Sequence, residues 1–208
     1  MSATITLHEG LERLQLGVSL QTQQKLIDYL ALVQKWNRVY NLTAVRDTDD
    51  MLTHHLFDSL AVVPHIDTEK TLLDVGSGAG LPGIPIALAL PQTQVTLLDS
   101  NQKKAAFLNQ AVIELQLGNV NVVCERVEKY QPKQLFSLVV SRAFSALVEY
   151  VAAAGRLVAP EGTLLAMKGM RPQEEMAQLT DRYQISRILP LAVPGLNAER
   201  HLIFLKAA

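Results

Sequence analysis

A glycine-rich loop between an apolar run and a helical segment constrains the fold of this chain more than any other feature. The loop reads DVGSGAGLPG from Asp74 to Gly83 and follows the apolar residues at 72–73. Glycines permit positive φ angles and let a ligand approach the main chain closely. Amides at the start of a helix face polar or negatively charged groups. In this context the motif predicts a ligand site in an α/β fold, rather than a tight turn that binds nothing.

Apolar runs alternate with helical stretches after residue 70. The pattern predicts strands at 71–75, 95–99, 120–124, 136–141 and 163–168, with two further strand-like runs at 183–189 and 201–206. It predicts helices at 83–90, 101–117, 145–158 and 172–179. Continuously apolar strands separated by helices are typical of a mostly parallel sheet that helices cover on both faces.

The first 70 residues have a helical pattern instead. Ser19 can cap a helix whose apolar positions recur at i, i+4 and i+7. A second helix is predicted to begin near Thr48, with an apolar stripe formed by Leu52, Leu56, Leu60 and Val63. We expect an N-terminal helical module at 1–70 and an α/β domain at 71–208, packed together as one compact unit.

Composition excludes several classes of protein. The chain has 208 residues, a formal net charge of −1 and one cysteine, which argues against a polybasic nucleic-acid binder, a disulfide scaffold and a thiolate zinc site. The N-terminus lacks the regions of a signal peptide. The uncharged stretch 75–98 contains four glycines and three prolines, so it is not expected to span a bilayer. We expect a cytoplasmic protein in which Cys124 is a buried structural thiol.

Two kinds of cofactor fit the glycine loop. Gly78, Gly80 and Gly83 satisfy the G-x-G-x-x-G pattern of dinucleotide-binding proteins, which leaves an NAD-dependent oxidoreductase as one hypothesis. Asp74, two residues before Gly76, extends the motif to D-x-G-x-G-x-G. The extended motif resembles the S-adenosylmethionine site of Rossmann-like methyltransferases.

Polar residues follow the next three predicted strands. Asp99 lies 23 residues after Gly76, where its carboxylate can accept hydrogen bonds from both ribose hydroxyls. Capping of the next helix together with Ser100 is the alternative interpretation, and one role does not exclude the other. Ligands in open α/β sheets bind outside the carboxyl ends of the strands. We therefore expect the loop at 125–128, where adenine would lie, and the loop at 141–144 to converge on the glycine loop. Taken alone, Glu128 indicates a solvated charge and Arg142 a salt-bridge partner.

Several segments together resemble one family, RsmG (GidB), bacterial methyltransferases that modify guanine N7 in 16S ribosomal RNA. The similarity covers nearly the whole chain, and its most specific parts are GLPGIP at 80–85 and SRAF at 141–144. The other matching segments are KWN at 35–37, YNLT at 40–43, HLFDS at 55–59, LLDS at 97–100, RVE at 126–128, KG at 168–169 and ERHL at 199–202.

The resemblance implies a Rossmann-like class I methyltransferase sheet, S-adenosyl-L-methionine as cofactor, and 16S rRNA as partner, within the small ribosomal subunit or an assembly intermediate. The cofactor residues that the motifs and the resemblance together predict are Gly76, Gly78, Leu81, Asp99, Val127, Glu128 and Arg142. The resemblance also makes Lys168 and Arg200 candidates for an RNA-facing cleft.

The chemistry of guanine N7 sets what a site of this kind needs. N7 carries a free lone pair, so no general base is required and positioning can supply most of the catalysis. We therefore predict no acid–base residue, and only a positioning role for Arg142. His55 and Asp58 are helical neighbours but too few to hold a metal, so no metal is predicted.

Charge is distributed unevenly along the chain. Residues 1–70 contain 6 basic and 9 acidic side chains, whereas residues 142–208 contain 8 basic and 6 acidic ones. This bias predicts a phosphate-contacting rim formed by Arg142, Lys168, Arg171 and Arg200. A methyltransferase of a small molecule or protein, and a non-catalytic cofactor-sensing or RNA-scaffold protein, stay open as alternatives.

Overall fold

Seven strands form one sheet in the order β3-β2-β1-β4-β5-β7-β6. The computed structural model describes residues 6–67, 70–144, 146–179 and 182–208. The strands are β1 (Thr71–Val75), β2 (Gln94–Asp99), β3 (Val120–Cys124), β4 (Phe136–Ser141), β5 (Val158–Lys168), β6 (Tyr183–Pro190) and β7 (His201–Ala207). The first five pair in parallel, and β7 pairs antiparallel with both β5 and β6. The mostly parallel sheet is therefore confirmed.

Eight α-helical segments accompany the sheet within the described ranges. They are α1 (Leu7–Arg13), α2 (Leu20–Tyr40), α3 (Thr48–Met51), α4 (Asp58–Leu60), α5 (Gly83–Ala89), α6 (Gln102–Glu114), α7 (Leu147–Ala154) and α8 (Gln173–Ala177). Ser19 caps α2 as predicted, because its side chain accepts a hydrogen bond from the Thr22 amide. Ser145, where the sequence predicts α7 to begin, lies outside the described residues.

Two apolar clusters lie on opposite faces of the sheet. Successive strand residues point to opposite faces, and accordingly Leu72 of β1 belongs to one cluster and Leu73 to the other. The first cluster also contains buried side chains of α1, α2, α5 and α6, and the second contains those of α7. Helices thus cover both faces, and the helices that precede β1 share a core with the sheet.

The prediction of one regular helix from Thr48 is wrong. The segment consists of α3, a π-helical turn at Leu52–Phe57, α4 and a 3-10 turn at Val63–His65. The apolar stripe is nevertheless used, since Leu56, Leu60 and Val63 are buried. A π-helical turn inserts a wider turn into an α-helix and is frequent at functional sites. Here it directly precedes Asp58.

Two further expectations need correction. Strand β5 begins at Val158 rather than at residue 163, because a 3-10 turn at Gly155–Leu157 leads directly into pairing between Val158 and Phe136. Cys124 is exposed rather than buried. It ends β3, which is an edge strand and therefore has a neighbouring strand on one side only. No helix in the described part of the chain is long and apolar enough to cross a membrane.

Candidate cofactor and substrate site

The glycine loop after β1 depends on its glycines for both conformation and space. Gly76, Gly78 and Gly80 have φ angles of +72°, +58° and +89°, a region that residues with a Cβ atom adopt only with strain. A Cβ atom on Gly76 would also lie 2.8 Å from the Cβ of Ala143, in the loop that follows β4. The main chain of the loop thus approaches the end of β4 closely.

Asp99 at the end of β2 fastens this loop to the next helix. Its Oδ2 accepts a hydrogen bond from the Gly78 amide at 2.8 Å, and its Oδ1 accepts one from the Asn101 amide at 2.8 Å. The residue that caps α6 is Asn101, whose side chain accepts hydrogen bonds from the amides of Lys103 and Lys104. The capping alternative for Asp99 is therefore wrong, although its carboxylate does orient the chain that enters α6.

Asp74 of β1 fastens the glycine loop to the start of α5. Its side chain is fully buried, and Oδ2 accepts a hydrogen bond from the Gly83 amide at 2.9 Å. Oδ1 has no hydrogen-bond partner among the described residues. Because burial disfavours the charged form, the pKa of Asp74 is raised to about 7. The acidic residue of the motif is thus a structural group under the loop.

Gly83→Ala tests how tightly this turn is packed. The added Cβ atom would overlap a methyl group of Leu97 and would lie 2.8 Å from Asp74 Oδ2. We expect the free energy of unfolding, measured by urea denaturation, to fall by about 1–3 kcal/mol because overpacking forces neighbours to shift. Gly17→Ala is the matched control, since nothing lies within 4 Å of its Cβ position. Equal stability of the two variants would contradict the close packing.

A cavity of about 290 Å³ opens beside the loop, at the carboxyl ends of β1 and β2. It is lined by Val75, Gly76, Leu98, Asp99, Ser100, Lys104, Glu125, Val127, Ala143 and Phe144. The cavity is thus bounded by the carboxylate of Asp99, by the main chain at Gly76 and by apolar side chains. Such a combination of apolar surface with a few polar groups suits a nucleoside with a polar tail.

The predicted cofactor residues occupy different positions around this cavity. Gly76, Asp99 and Val127 line it, and Gly78 borders it through the hydrogen bond to Asp99. Leu81 is buried in the apolar core and Glu128 is exposed, and neither lines the cavity. Arg142 lies in the adjoining cavity instead.

Lys104 is a lining residue that the sequence analysis did not identify. It belongs to the first turn of α6, and its Nζ lies 3.9 Å from the position that a Cβ atom on Gly78 would occupy. Its signal in the sequence is its place five residues after Asp99, at the start of the helix that follows β2.

A second cavity, of about 350 Å³, lies beside the first. It is lined by Val45, His54, His55, Asp58, Arg142, Met167, Lys168, Gly169 and Arg200. A wider cleft of about 710 Å³ shares Arg142 and Lys168 with this cavity and Phe144 with the first one. The fold therefore brings Arg142, Lys168 and Arg200 together, next to the cavity that contains Asp99.

These predicted RNA-facing cations have protein partners. Arg142 Nη1 donates to Asp58 Oδ2 at 2.9 Å, and Arg200 Nε donates to Asp58 Oδ1 at 2.8 Å. Lys168 Nζ donates to Glu175 Oε2 at 2.7 Å and to the Phe144 carbonyl at 3.2 Å. Arg171 is exposed and lines the wider cleft. Part of the predicted rim is thus an ordered ion-pair network.

His55, next to this network, is a buried side chain. Its Nε2 lies 2.9 Å from Thr43 Oγ1, and its Nδ1 has no partner among the described residues. Burial lowers the pKa of His55 below its ordinary value. Within the described ranges, no group of three or more His, Cys, Asp and Glu side chains is arranged to hold a metal ion.

Comparison with known proteins agrees with this architecture. Residues 22–203 match the family model GidB, described as rRNA small subunit methyltransferase G. The ribosomal RNA small subunit methyltransferase G of Aromatoleum aromaticum is 51% identical over 99% of both chains, and that of Nitrosospira multiformis is 52% identical over 100% of this chain and 99% of its own.

A solved structure supports the fold independently. A SAM-dependent methyltransferase from Thiobacillus denitrificans, in complex with S-adenosyl-L-homocysteine, superposes with a TM-score of 0.58 at 11% identity, covering 85% of this chain and 97% of the other. The Rossmann-like class I methyltransferase fold is therefore confirmed.

Proposed function

Because the chain belongs to the GidB family, we propose that it transfers a methyl group from S-adenosyl-L-methionine to N7 of a guanine in 16S ribosomal RNA. The observation that carries the proposal is the pair of adjoining cavities. One is built from the glycine loop and Asp99, and the other is lined by Arg142, Lys168 and Arg200. A cofactor and a phosphate-bearing substrate can thus bind next to each other. We expect the reaction to take place in the cytoplasm, where ribosomal subunits assemble.

The residues around the first cavity fit S-adenosyl-L-methionine, which when bound would supply an activated methyl group. Each oxygen of Asp99 accepts one main-chain hydrogen bond and keeps capacity for a ribose hydroxyl. Leu98 and Val127 offer apolar surface for the adenine ring. Gly76 is exposed and Gly78 is half-buried, and since neither has a side chain of its own, their main chain can approach the polar tail.

The remaining predicted residues act from outside the cavity. Leu81 contributes through the main chain of the turn, since its side chain is buried. Glu128 is exposed next to Val127 and reaches the cofactor only from the rim. Arg142 lines the cavity that contains Lys168 and Arg200, here called the cationic cavity. The next residue, Ala143, lines the cavity that contains Asp99, here called the cofactor cavity, so Arg142 is placed to position the target base.

The cationic cavity holds the RNA strand near the methyl donor. Guanidinium and ammonium groups bind phosphate, and such contacts set the register of a nucleic acid without reading its bases. Guanine N7 attacks through its own lone pair, so the chain needs to align the base rather than remove a proton from it. The described residues of the cavity supply that alignment through fixed cations.

Labelled methyl transfer tests the proposal directly. The chain is incubated with S-adenosyl-L-methionine carrying a labelled methyl group and with small ribosomal subunits from cells that lack this modification. We expect one label per subunit, in 16S rRNA, at N7 of a guanine, as mapped by nuclease digestion and mass spectrometry. Subunits that are already modified serve as the control and should accept no label.

Two results would contradict the proposal. Absence of label in 16S rRNA would exclude the substrate. Calorimetric binding of NAD without binding of S-adenosyl-L-methionine would favour the dinucleotide hypothesis, which rests on Gly78, Gly80 and Gly83. Naked 16S rRNA, tested in parallel, shows whether the assembled particle is required.

A further inference from the structure

Asp58 is a buried carboxylate that two arginines from distant parts of the chain share. Its side chain is 4% exposed, and it accepts Arg142 Nη1 on one oxygen and Arg200 Nε on the other, at 2.9 and 2.8 Å. The arginines lie 84 and 142 residues further along the chain. A carboxylate so deeply buried is tolerable only because both of its oxygens are paired.

The three residues come from three different elements. Asp58 begins α4, directly after the π-helical turn; Arg142 follows β4, and Arg200 directly precedes β7. All three line the cationic cavity beside the cofactor cavity. The carboxylate therefore determines where two guanidinium groups stand relative to the methyl donor.

The ion pairs of Asp58 with Arg142 and Arg200 leave net positive charge and N–H donors that a ligand can bind. One carboxylate neutralises only one of two guanidinium charges, and each guanidinium carries five N–H donors. Arg142 also donates from Nη1 to the His54 carbonyl, and Arg200 donates from Nη1 to the Glu199 carbonyl. No bond from Nη2 of either arginine to the described residues is present, and the side chains are 28% and 23% exposed. These groups suit a phosphate.

We propose that Asp58 is a positioning residue, which holds Arg142 and Arg200 in one geometry so that together they grip a phosphate beside the target guanine. This inference rests on the proposed function and adds a residue to it. Asp58 lines the cationic cavity, but each of its two oxygens is paired with an arginine, so it acts on the substrate through Arg142 and Arg200. The competing role is purely structural, in which the ion pairs fasten α4 to the sheet.

Steady-state kinetics on small ribosomal subunits separate the two roles. Asp58→Asn keeps the shape but removes the charge, and we expect kcat at saturating substrate to fall about 10- to 100-fold because a poorly aligned base reacts slowly. The Kd for S-adenosyl-L-methionine should change less than twofold. Asp58→Glu restores the charge and should recover part of kcat. Asp67→Asn, an exposed carboxylate paired with Lys70, is the control and should be as active as the unaltered chain.

A double-mutant cycle tests whether Asp58 acts through its partner. Arg200→Gln should lower kcat by a similar factor, and the combination of Asp58→Asn with Arg200→Gln should lose clearly less than the product of the two single losses, because Asp58 then has only its contact with Arg142 left to lose. All assays are made below the midpoint of thermal unfolding of each variant. Should Asp58→Asn fail to fold, Arg200→Lys, which keeps the charge but not the planar fork, provides the same test.

Each outcome decides the proposal. Full kcat in Asp58→Asn, a loss confined to cofactor affinity, or multiplying losses in the double variant would each overturn it. An unaltered chain that methylates no 16S rRNA would contradict the proposed function as well. An active unaltered chain with an equally active Asp58→Asn would contradict the positioning role alone.

Discussion

Asp99→Asn is expected to raise the Kd for S-adenosyl-L-methionine by about 10- to 100-fold. The carboxylate is the one acidic group at the end of β2 that lines the cofactor cavity and holds the Gly78 amide. Hydrogen bonds to a charged group contribute roughly 1.5–3 kcal/mol, and each 1.4 kcal/mol is a tenfold change in affinity. Titration calorimetry with S-adenosyl-L-methionine measures the change, and methyl transfer at limiting cofactor should fall in parallel.

Asn at this position preserves one oxygen acceptor, so the loop can keep one of its two main-chain bonds. Thermal unfolding of Asp99→Asn establishes that the variant is folded before its affinity is measured. Asp67→Asn, whose side chain is exposed before β1, should leave the Kd unaltered. An Asp99→Asn protein that is folded and binds the cofactor with unchanged affinity would show that this carboxylate does not contact the ribose.

Asp74→Asn is expected to change how stability depends on pH. In the unfolded chain the carboxyl has its ordinary pKa of 3.8, whereas in the folded chain burial raises its pKa to about 7. Between these values the folded state binds more protons, so this group makes the free energy of unfolding fall as pH rises. Three pKa units correspond to about 4 kcal/mol, which is an upper figure for the loss by pH 8.

Urea denaturation at intervals between pH 4 and pH 8 measures this effect. The free energy of unfolding of Asp74→Asn, relative to the unaltered chain, should increase across that interval because Asn does not titrate. All other groups titrate in both proteins, so their difference isolates Asp74. Asp28→Asn, at an exposed position of α2, should show no such trend. A difference that is flat with pH would mean that Asp74 is charged in the folded chain at pH 5.

Short-range patterns account for the parts of the fold that were predictable from sequence. The strands at 71–75, 120–124 and 136–141 agree with β1, β3 and β4, because each is an apolar run bounded by polar or glycine residues. The glycine loop predicted the edge of the sheet at which the candidate cofactor cavity lies, since its conformation needs glycine locally. Asp99 was predicted from the rule that ligands bind at the carboxyl ends of parallel strands, and Val127 from the family resemblance.

Other features depend on contacts that no local pattern contains. Cys124 ends an apolar strand and yet is exposed, because the strand order places β3 at an edge of the sheet. Leu81 belongs to the cofactor motif and yet packs into the core. The helix after Thr48 changes to a π-helical turn, although its apolar spacing alone predicts a regular helix.

Local sequence therefore determined the parallel sheet and the glycine loop, since main-chain conformation and strand burial follow from neighbouring residues. Only the tertiary structure decided the charge arrangement next to the loop. Asp58, Arg142 and Arg200 are too far apart in the chain for any spacing rule to join them. They meet because the fold places Asp58 of α4 beside the residue that follows β4 and the residue that precedes β7, and a buried carboxylate is stable only when it is paired.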